Sequence, residues 1–166
     1  MGLTLLLGCL GCILLFLAIW GVTVTLPTRR LAANFPKDVQ EALKPRLDAL
    51  PFTWKRVLGF VILVGLIAAY LGLFIVGGLD GKARGFTFLQ FFVRFLVIGG
   101  MIKAFDIIGL DYFLLTKTHF FQHYFPETEG CAGWKNFGYN RAQQLRQIIL
   151  TVLGSLAMAW LFSHLA

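Results

Sequence analysis

Residues 57–79 indicate the fold most clearly: they read VLGFVILVGLIAAYLGLFIVGGL and carry no charge. A helix that crosses the hydrocarbon core of a bilayer needs about 20 mostly apolar residues, because each residue adds about 1.5 Å of rise. Three further stretches meet this requirement, namely residues 3–26, 86–108 and 148–165. We therefore predict an all-α fold, a four-helix transmembrane bundle, that forms a single integral membrane domain over residues 1–166.

The composition of the whole chain agrees with burial in lipid. Hydrophobic residues make up 58% of the 166 residues and charged residues only 14%, whereas a soluble domain has about 45–50% and about 25%. The mean hydropathy is +0.76. These values exclude a soluble globular domain, a disordered tail and a nucleic-acid-binding module, so the net charge of +7 needs a different explanation.

The basic residues are concentrated in the connectors between the apolar stretches. The intervals 27–56 and 109–147 hold most of them: Arg29, Arg30, Lys37, Lys44, Arg46, Lys55, Arg56, Lys117, Lys135, Arg141 and Arg146. The interval 80–85 holds only Lys82 and Arg84. Lys and Arg are enriched in cytoplasmic connectors, where they also attract anionic lipid. We therefore predict a multi-pass protein of the cell membrane with residues 27–56 and 109–147 in the cytoplasm and both termini outside.

The first connector contains a pattern that is typical of a short helix. Pro36 suits the first turn of a helix, and Val39 and Leu43 recur on one helical face. We predict a short cytoplasmic amphipathic helix on the membrane surface that ends at Pro45, with a solvated connector as the alternative. In the third connector, Asn140 with Gln143 has the spacing of a capping box, which predicts a helix start near Arg141.

Small residues predict where the membrane helices approach each other closely, because helix packing in lipid depends on close backbone approach. The predicted contacts lie on the first, second and third spans at these positions: Gly8, Gly11, Cys12, Gly65, Ala68, Ala69, Gly72, Gly99 and Gly100. The pair Gly99 and Gly100 is alternatively a point where the third helix bends.

Three charged residues in the third span ask for an explanation, since a charge at mid-bilayer is costly. Lys103 and Asp106 are three residues apart, so they share a helical face and are able to pair. This intramembrane polar pair is either a structural salt bridge or the polar lining of a path for a substrate, an ion or a proton. Arg94 lies nearer the outer end, where we expect it to reach the headgroups.

The candidate catalytic residues lie beyond the third span. Residues 111–125 contain no Gly or Pro, so the helix is predicted to continue to Pro126. His119 and His123 would then lie on one face with the i, i+4 spacing that zinc sites use. Aromatic anchoring at the interface is the alternative interpretation, so the sequence implies no metal and no cofactor. The candidates share titratable side chains and are Asp111, His119, His123, Glu127 and Glu129.

Cys9 and Cys12 form a Cys-x-x-Cys pair inside the first span. Such a pair suggests thiol–disulfide chemistry, but no cation stands nearby to lower a thiol pKa. Packing of small apolar side chains is the competing interpretation.

Three stretches carry a resemblance to known proteins. Residues 105–112, FDIIGLDY, followed by residues 125–130, FPETEG, and residues 36–42, PKDVQEA, resemble segments of an uncharacterised family of small multi-span bacterial membrane proteins. The similarity covers about a fifth of the chain. It implies a bacterial multi-span architecture and supplies no activity.

The sequence leaves several function classes open. The leading interpretation is a non-catalytic membrane subunit or a lipid- or small-molecule-binding membrane protein. The alternatives are a small membrane enzyme that acts on a lipid or amphiphile at the cytoplasmic interface, and a component of an oligomeric transporter or channel. The expected partners are membrane lipids and either further copies of the chain or a larger membrane complex, with no nucleic acid.

Overall fold

The structure is a computed structural model, and it describes residues 1–25, 29–49 and 53–164. The described residues form helices and turns and no strand. In chain order the helices are α1 (Gly2–Thr25), α2 (Arg29–Ala32), α3 (Lys37–Asp48), α4 (Trp54–Ala83), α5 (Phe88–Phe105), a π-helix (Asp106–Leu115), α6 (Phe120–Tyr124), two 3₁₀ turns (Pro126–Thr128 and Ala132–Lys135) and α7 (Arg141–His164).

Three helices in the described part of the chain are long and apolar enough to cross a membrane: α1, α4 and α7. In α4, only 11% of the most apolar 18-residue segment is buried. Such a large exposed apolar surface is typical of a helix that contacts lipid. The fourth stretch, residues 86–108, is divided between α5 and the π-helix and is not among these three. The predicted ends of the first and fourth spans, residues 26 and 165, lie outside the described residues.

The connection between α4 and α5 is short and well capped. The helix α4 continues past its predicted end to Ala83. Gly85 follows it in the turn, and its φ of 66° suits a residue without a side chain. The N–H of Phe86 donates to the carbonyl of Gly81 at 3.0 Å, as in a Schellman cap. Thr87 and Gln90 then form a capping box that starts α5. Backbone groups at the end of α4 and at the start of α5 therefore have hydrogen-bond partners.

The chain divides into two compact units. Unit 1 comprises Met1–Leu15, Ile67–Asp106 and Ala142–Ala166, and unit 2 comprises Phe16–Leu66 and Ile107–Arg141. Unit 1 has two small apolar cores built from helix side chains. One contains Leu7, Leu73, Ile98 and Ile102, and the other contains Phe91, Phe95, Ala159 and Phe162.

The closest helix contacts in unit 1 use glycines that differ in part from the predicted ones. A methyl group added at Gly78 would overlap the ring of Phe162, and one at Gly11 would overlap Ile102. By contrast, nothing lies within 4 Å of a methyl group at Gly65 or Gly72, so the predicted contact role of these two is wrong. The glycine pattern alone could not reveal which face of α4 meets a neighbour.

The predicted packing of the other small residues is confirmed in part. Gly99 approaches Thr151, whose Cγ2 would lie 2.8 Å from an added methyl group, whereas Gly100 faces open space. The thiol of Cys12 donates to the carbonyl of Met101 at 3.7 Å. Cys9 and Cys12 are free thiols in the structure, so Cys12 acts here as a small packing residue.

The glycine contact predicts a difference between two substitutions on the same helix. Gly78→Ala should destabilise the protein by about 1–3 kcal/mol, because the ring of Phe162 has to move. Gly72→Ala is the matched control and should not destabilise, since its methyl group meets no neighbour. Thermal unfolding of both variants in detergent measures the difference, and an equal Tm for the two would contradict the packing of α4.

Unit 2 is held together by an aromatic core. The buried members are Leu31, Ala32, Phe35, Val39, Leu43, Leu115, Phe121, Phe125 and Trp134. The rings of Phe121 and Trp134 stack with centroids 5.6 Å apart, and the indole N–H of Trp134 donates to the carbonyl of Thr128 at 3.0 Å. The core therefore contains both apolar packing and a satisfied polar group.

The connector helix exists but differs from the prediction in its end and its contacts. It continues through Pro45 to Asp48, although an interior proline removes one hydrogen bond and crowds the preceding turn. Val39 and Leu43 are almost completely buried in the aromatic core, and this burial offsets the cost of the proline. The apolar stripe of α3 is thus covered by the chain itself.

The same burial predicts the effect of shortening a buried side chain of α3. Leu43→Ala should destabilise unit 2 by about 2–5 kcal/mol, because it leaves a cavity among aromatic rings. The exposed neighbour gives a matched control, Lys44→Ala, which should change stability little. Limited proteolysis of the first connector measures the difference; equal cleavage rates would show that α3 does not depend on this core.

Candidate functional site

The candidate site in unit 1 is built around Lys103 on α5. Its ammonium group donates to Asp106 Oδ2 at 2.6 Å and also to the side-chain oxygens of Gln144 and Gln147 on α7. A lysine has three N–H donors, and these three acceptors use all of them. The predicted pairing of Lys103 with Asp106 is confirmed, and the two glutamines link α5 to α7.

This polar cluster lines an open groove of about 410 Å³ within unit 1. Its polar lining comes from Tyr70, Lys103, Asp106, Gln147 and Thr151, and its apolar lining includes Leu15, Ile102 and Leu150. The π-helix begins at Asp106, and π-helical segments are frequent at functional sites. A groove with polar groups on one side and apolar groups on the other suits an amphiphilic molecule.

Two polar groups of the groove have no hydrogen-bond partner among the described residues. Asp106 uses Oδ2 to bind Lys103, and its other oxygen has no hydrogen-bond partner among the described residues. The hydroxyl of Tyr70 likewise has no partner in the part of the chain that the structure describes. Lys103 is fully occupied, so a ligand in this groove would meet an acceptor at Asp106 and a phenol at Tyr70.

Arg94 is buried instead of extending toward the headgroups. Its side chain is 4% exposed, and its Nη1 donates to Asp80 Oδ2 and to the carbonyl of Gly77, both at 2.7 Å. The guanidinium group also lies over the ring of Phe86 at 4.2 Å. The expectation of an exposed Arg94 is wrong, because Asp80 at the end of α4 supplies a counter-charge within the unit.

In unit 2 the candidate acids Asp111 and Glu127 each have a structural partner. Asp111 accepts a hydrogen bond from the side-chain amide of Asn140 at 2.9 Å. Glu127 accepts from Arg46 at 3.2 Å, and the same guanidinium group donates to the carbonyl of Tyr124 at 2.9 Å. These contacts join separate segments of the unit, and the structure does not bring the two acids together.

The two candidate histidines do not share a continuous helix with the π-helix. The hydroxyl of Thr116 donates to the carbonyl of Tyr112, and that of Thr118 to the carbonyl of Leu114 at 2.6 Å. Such local bonds compete with helix propagation, and α6 starts anew at Phe120. His119 precedes α6, and His123 lies in its last turn with its ring against Tyr124.

The structure brings only part of the predicted set together. His119 and Glu129 line the same groove of unit 2, of about 390 Å³, with Lys117 and Lys135. Among residues 1–25, 29–49 and 53–164, no group of three or more His, Cys, Asp or Glu side chains could hold a metal ion. The zinc interpretation of His119 and His123 therefore lacks a third ligand in this part of the chain.

Several groups of the site were missed by sequence reasoning. The i, i+3 spacing of Gln144 and Gln147 places both amides toward Lys103. The spacing was a usable signal for a shared face. Asp80, Tyr70 and Thr151 gave no such signal. Asp80 pairs with Arg94 of α5, and Tyr70 and Thr151 join the site only because the folded helices bring them to the same groove.

Comparisons with protein-family models, with curated proteins and with solved structures gave no match to this chain. The resemblance to small multi-span bacterial proteins stays a prediction.

The burial of Arg94 predicts unequal effects for the two arginines that bind Asp80. Arg94→Met should lower the Tm several times more than Arg84→Met, because Arg94 is enclosed and Arg84 is 62% exposed. Thermal unfolding in detergent at neutral pH compares them. Equal losses would contradict the enclosure of Arg94 by Gly77, Asp80 and Phe86.

Proposed function

We propose that this chain is an integral membrane protein that crosses the bilayer four times and binds a lipid or small amphiphile in the groove of unit 1. The observation that carries this proposal is that Lys103 and Asp106 line an open, partly apolar groove instead of facing only each other. Ionisable residues inside apolar helices mark functional sites more often than not.

The fourth crossing is α5 with the start of the π-helix. The helix Phe88–Phe105 is about 27 Å long at the usual rise per residue, close to the thickness of a hydrocarbon core. Its two cations are both paired, Arg94 with Asp80 and Lys103 with Asp106, which lowers the cost of placing them in lipid. We propose the cytoplasmic side for residues 27–56 and 109–147, since the basic residues favour it.

The ligand follows from the groups that the groove leaves available. Asp106 offers an acceptor and Tyr70 a phenol, while Leu15, Ile102 and Leu150 offer apolar surface. A molecule with a hydrogen-bond donor at its polar end and a hydrocarbon body fits this lining. The protein would act as a non-catalytic subunit or binding protein in the membrane, alone or with further copies.

A second candidate function is supported by the same groove. A charge pair that lines an open cavity is also expected of a transport path for an ion or a proton. Four crossings are few for a carrier, so this function would require an oligomer. The enzyme alternative requires Asp111, His119, His123 and an acid to meet. Of these candidates, His119 and Glu129 line one groove.

The test is native mass spectrometry of the purified full chain. The wild-type protein should retain a lipid or amphiphile, and Tyr70→Phe and Asp106→Asn should each lower its occupancy about tenfold, because each removes a polar contact while keeping the shape. Tyr124→Phe, on α6, is the matched control. No retained molecule, or equal occupancy in all four proteins, would overturn the proposal.

A further inference from the structure

The groove in unit 2 combines charges of both signs. Its lining includes Lys117, His119, Gln122, Glu129, Cys131 and Lys135. Lys117, Lys135 and Glu129 form no ion pair with any residue in the described ranges, although the unit pairs Arg46 with Glu127. Two cations and one carboxylate therefore remain available around a single cavity.

Gln122 adds a buried acceptor to this groove. Its side-chain oxygen is buried and has no hydrogen-bond partner among the described residues. A buried acceptor without a donor is costly, and Glu129, another acceptor, lines the same cavity. Two acceptors beside two ammonium groups suit a molecule with N–H donors at one end and an anion at the other.

Exposed aromatic side chains lie beside the groove, because Lys117, which lines the groove, contacts one of them. The ammonium group of Lys117 lies over the ring of Tyr112 at 5.2 Å, and Tyr112 contacts Phe137 with ring centroids 5.3 Å apart. Tyr112, Phe113 and Phe137 are all exposed. Such aromatic groups are typical of the headgroup level of a membrane, so the groove opens beside a surface that fits acyl chains.

We propose that this groove binds a phosphoethanolamine group, with the phosphate at Lys117 and Lys135 and the primary ammonium donating to Glu129 and Gln122. Phosphate is a strong partner for ammonium groups, and an ammonium–carboxylate contact is charge-assisted. The group belongs to an ethanolamine phospholipid or to a soluble phosphoethanolamine compound. The proposal does not depend on the groove of unit 1.

The binding test uses the purified full chain in detergent with four probes, which are the dihexanoyl ethanolamine, choline and glycerol phospholipids and free phosphoethanolamine. Dihexanoyl-phosphatidylethanolamine should bind at least about tenfold more tightly than dihexanoyl-phosphatidylcholine, because choline has no N–H to donate to Gln122 or Glu129. Glu129→Gln should weaken ethanolamine-lipid binding about tenfold and choline-lipid binding by a smaller factor, because both headgroups are cationic but only ethanolamine donates an N–H. Glu41→Gln, which changes an exposed carboxylate on α3, is the matched control and should have no effect.

Several outcomes decide the proposal. Equal binding of the two lipids, or equal binding by Glu129→Gln and Glu41→Gln, would overturn it. Tighter binding of dihexanoyl-phosphatidylglycerol than of the ethanolamine lipid would also overturn it, since an anion site would then be sufficient. Phosphoethanolamine that binds as tightly as the lipid supports the chemistry and assigns it to a soluble compound, whereas weaker binding assigns it to a lipid.

The thiol of Cys131 reports whether the ligand occupies this groove. Burial and the Asp38 carboxylate raise the pKa of Cys131, so the side chain is neutral near pH 7 and lines the groove without adding charge. Bound ethanolamine lipid should slow alkylation of Cys131 several-fold, while Cys9 on α1 serves as the internal reference. Unchanged alkylation of Cys131 at saturating lipid would place the ligand elsewhere.

Discussion

The pairing of the charges on α5 is the constraint on which the rest of unit 1 depends. Arg94 and Lys103 lie on a helix whose other residues are almost all apolar, and an unpaired charge in such surroundings is costly. Arg94 forms an ion pair with Asp80 of α4, and Lys103 forms an ion pair with Asp106 and hydrogen bonds with two side-chain amides of α7. Both sets of contacts fix the rotation of α5 against its neighbours.

This constraint also positions the groove. Because the amides of Gln144 and Gln147 turn toward Lys103, α7 must present this face to α5, and the close approach at Gly99 brings Thr151 beside the cluster. Asp106, which binds Lys103 through one oxygen, lines this cavity. The site thus arises from the way in which a buried lysine is satisfied.

Local patterns in the sequence were sufficient for the elements whose partners lie nearby in the chain. The start of α7 at Arg141 follows from Asn140 and its capping spacing, and the pair Lys103 and Asp106 follows from the i, i+3 spacing. The apolar stripe of α3 was likewise readable. In each case the residues that form the pattern are separated by only a few positions, so helical geometry alone places them on one face or at one helix end.

Features that depend on a distant partner were not predictable in this way. Arg94 was expected to extend to the headgroups because it lies near the outer end of the third span. Its partner Asp80 lies on a different helix, and only the folded α4–α5 turn brings the two together. The break before His119 depends on hydroxyls that bond backward along the helix. The choice between Gly72 and Gly78 as the contact point of α4 depends on which face meets Phe162.

The central claim is that the paired charges allow α5 to cross the bilayer beside α4. Side-specific labelling of single-cysteine variants tests this claim most directly. The variants are Lys44→Cys, Lys82→Cys and Lys135→Cys, in a chain whose Cys9, Cys12 and Cys131 are replaced by alanine. A membrane-impermeant maleimide should label only Lys82→Cys in intact cells, and the other two after permeabilisation. Labelling of Lys82→Cys and Lys135→Cys from the same side would contradict the crossing of α5.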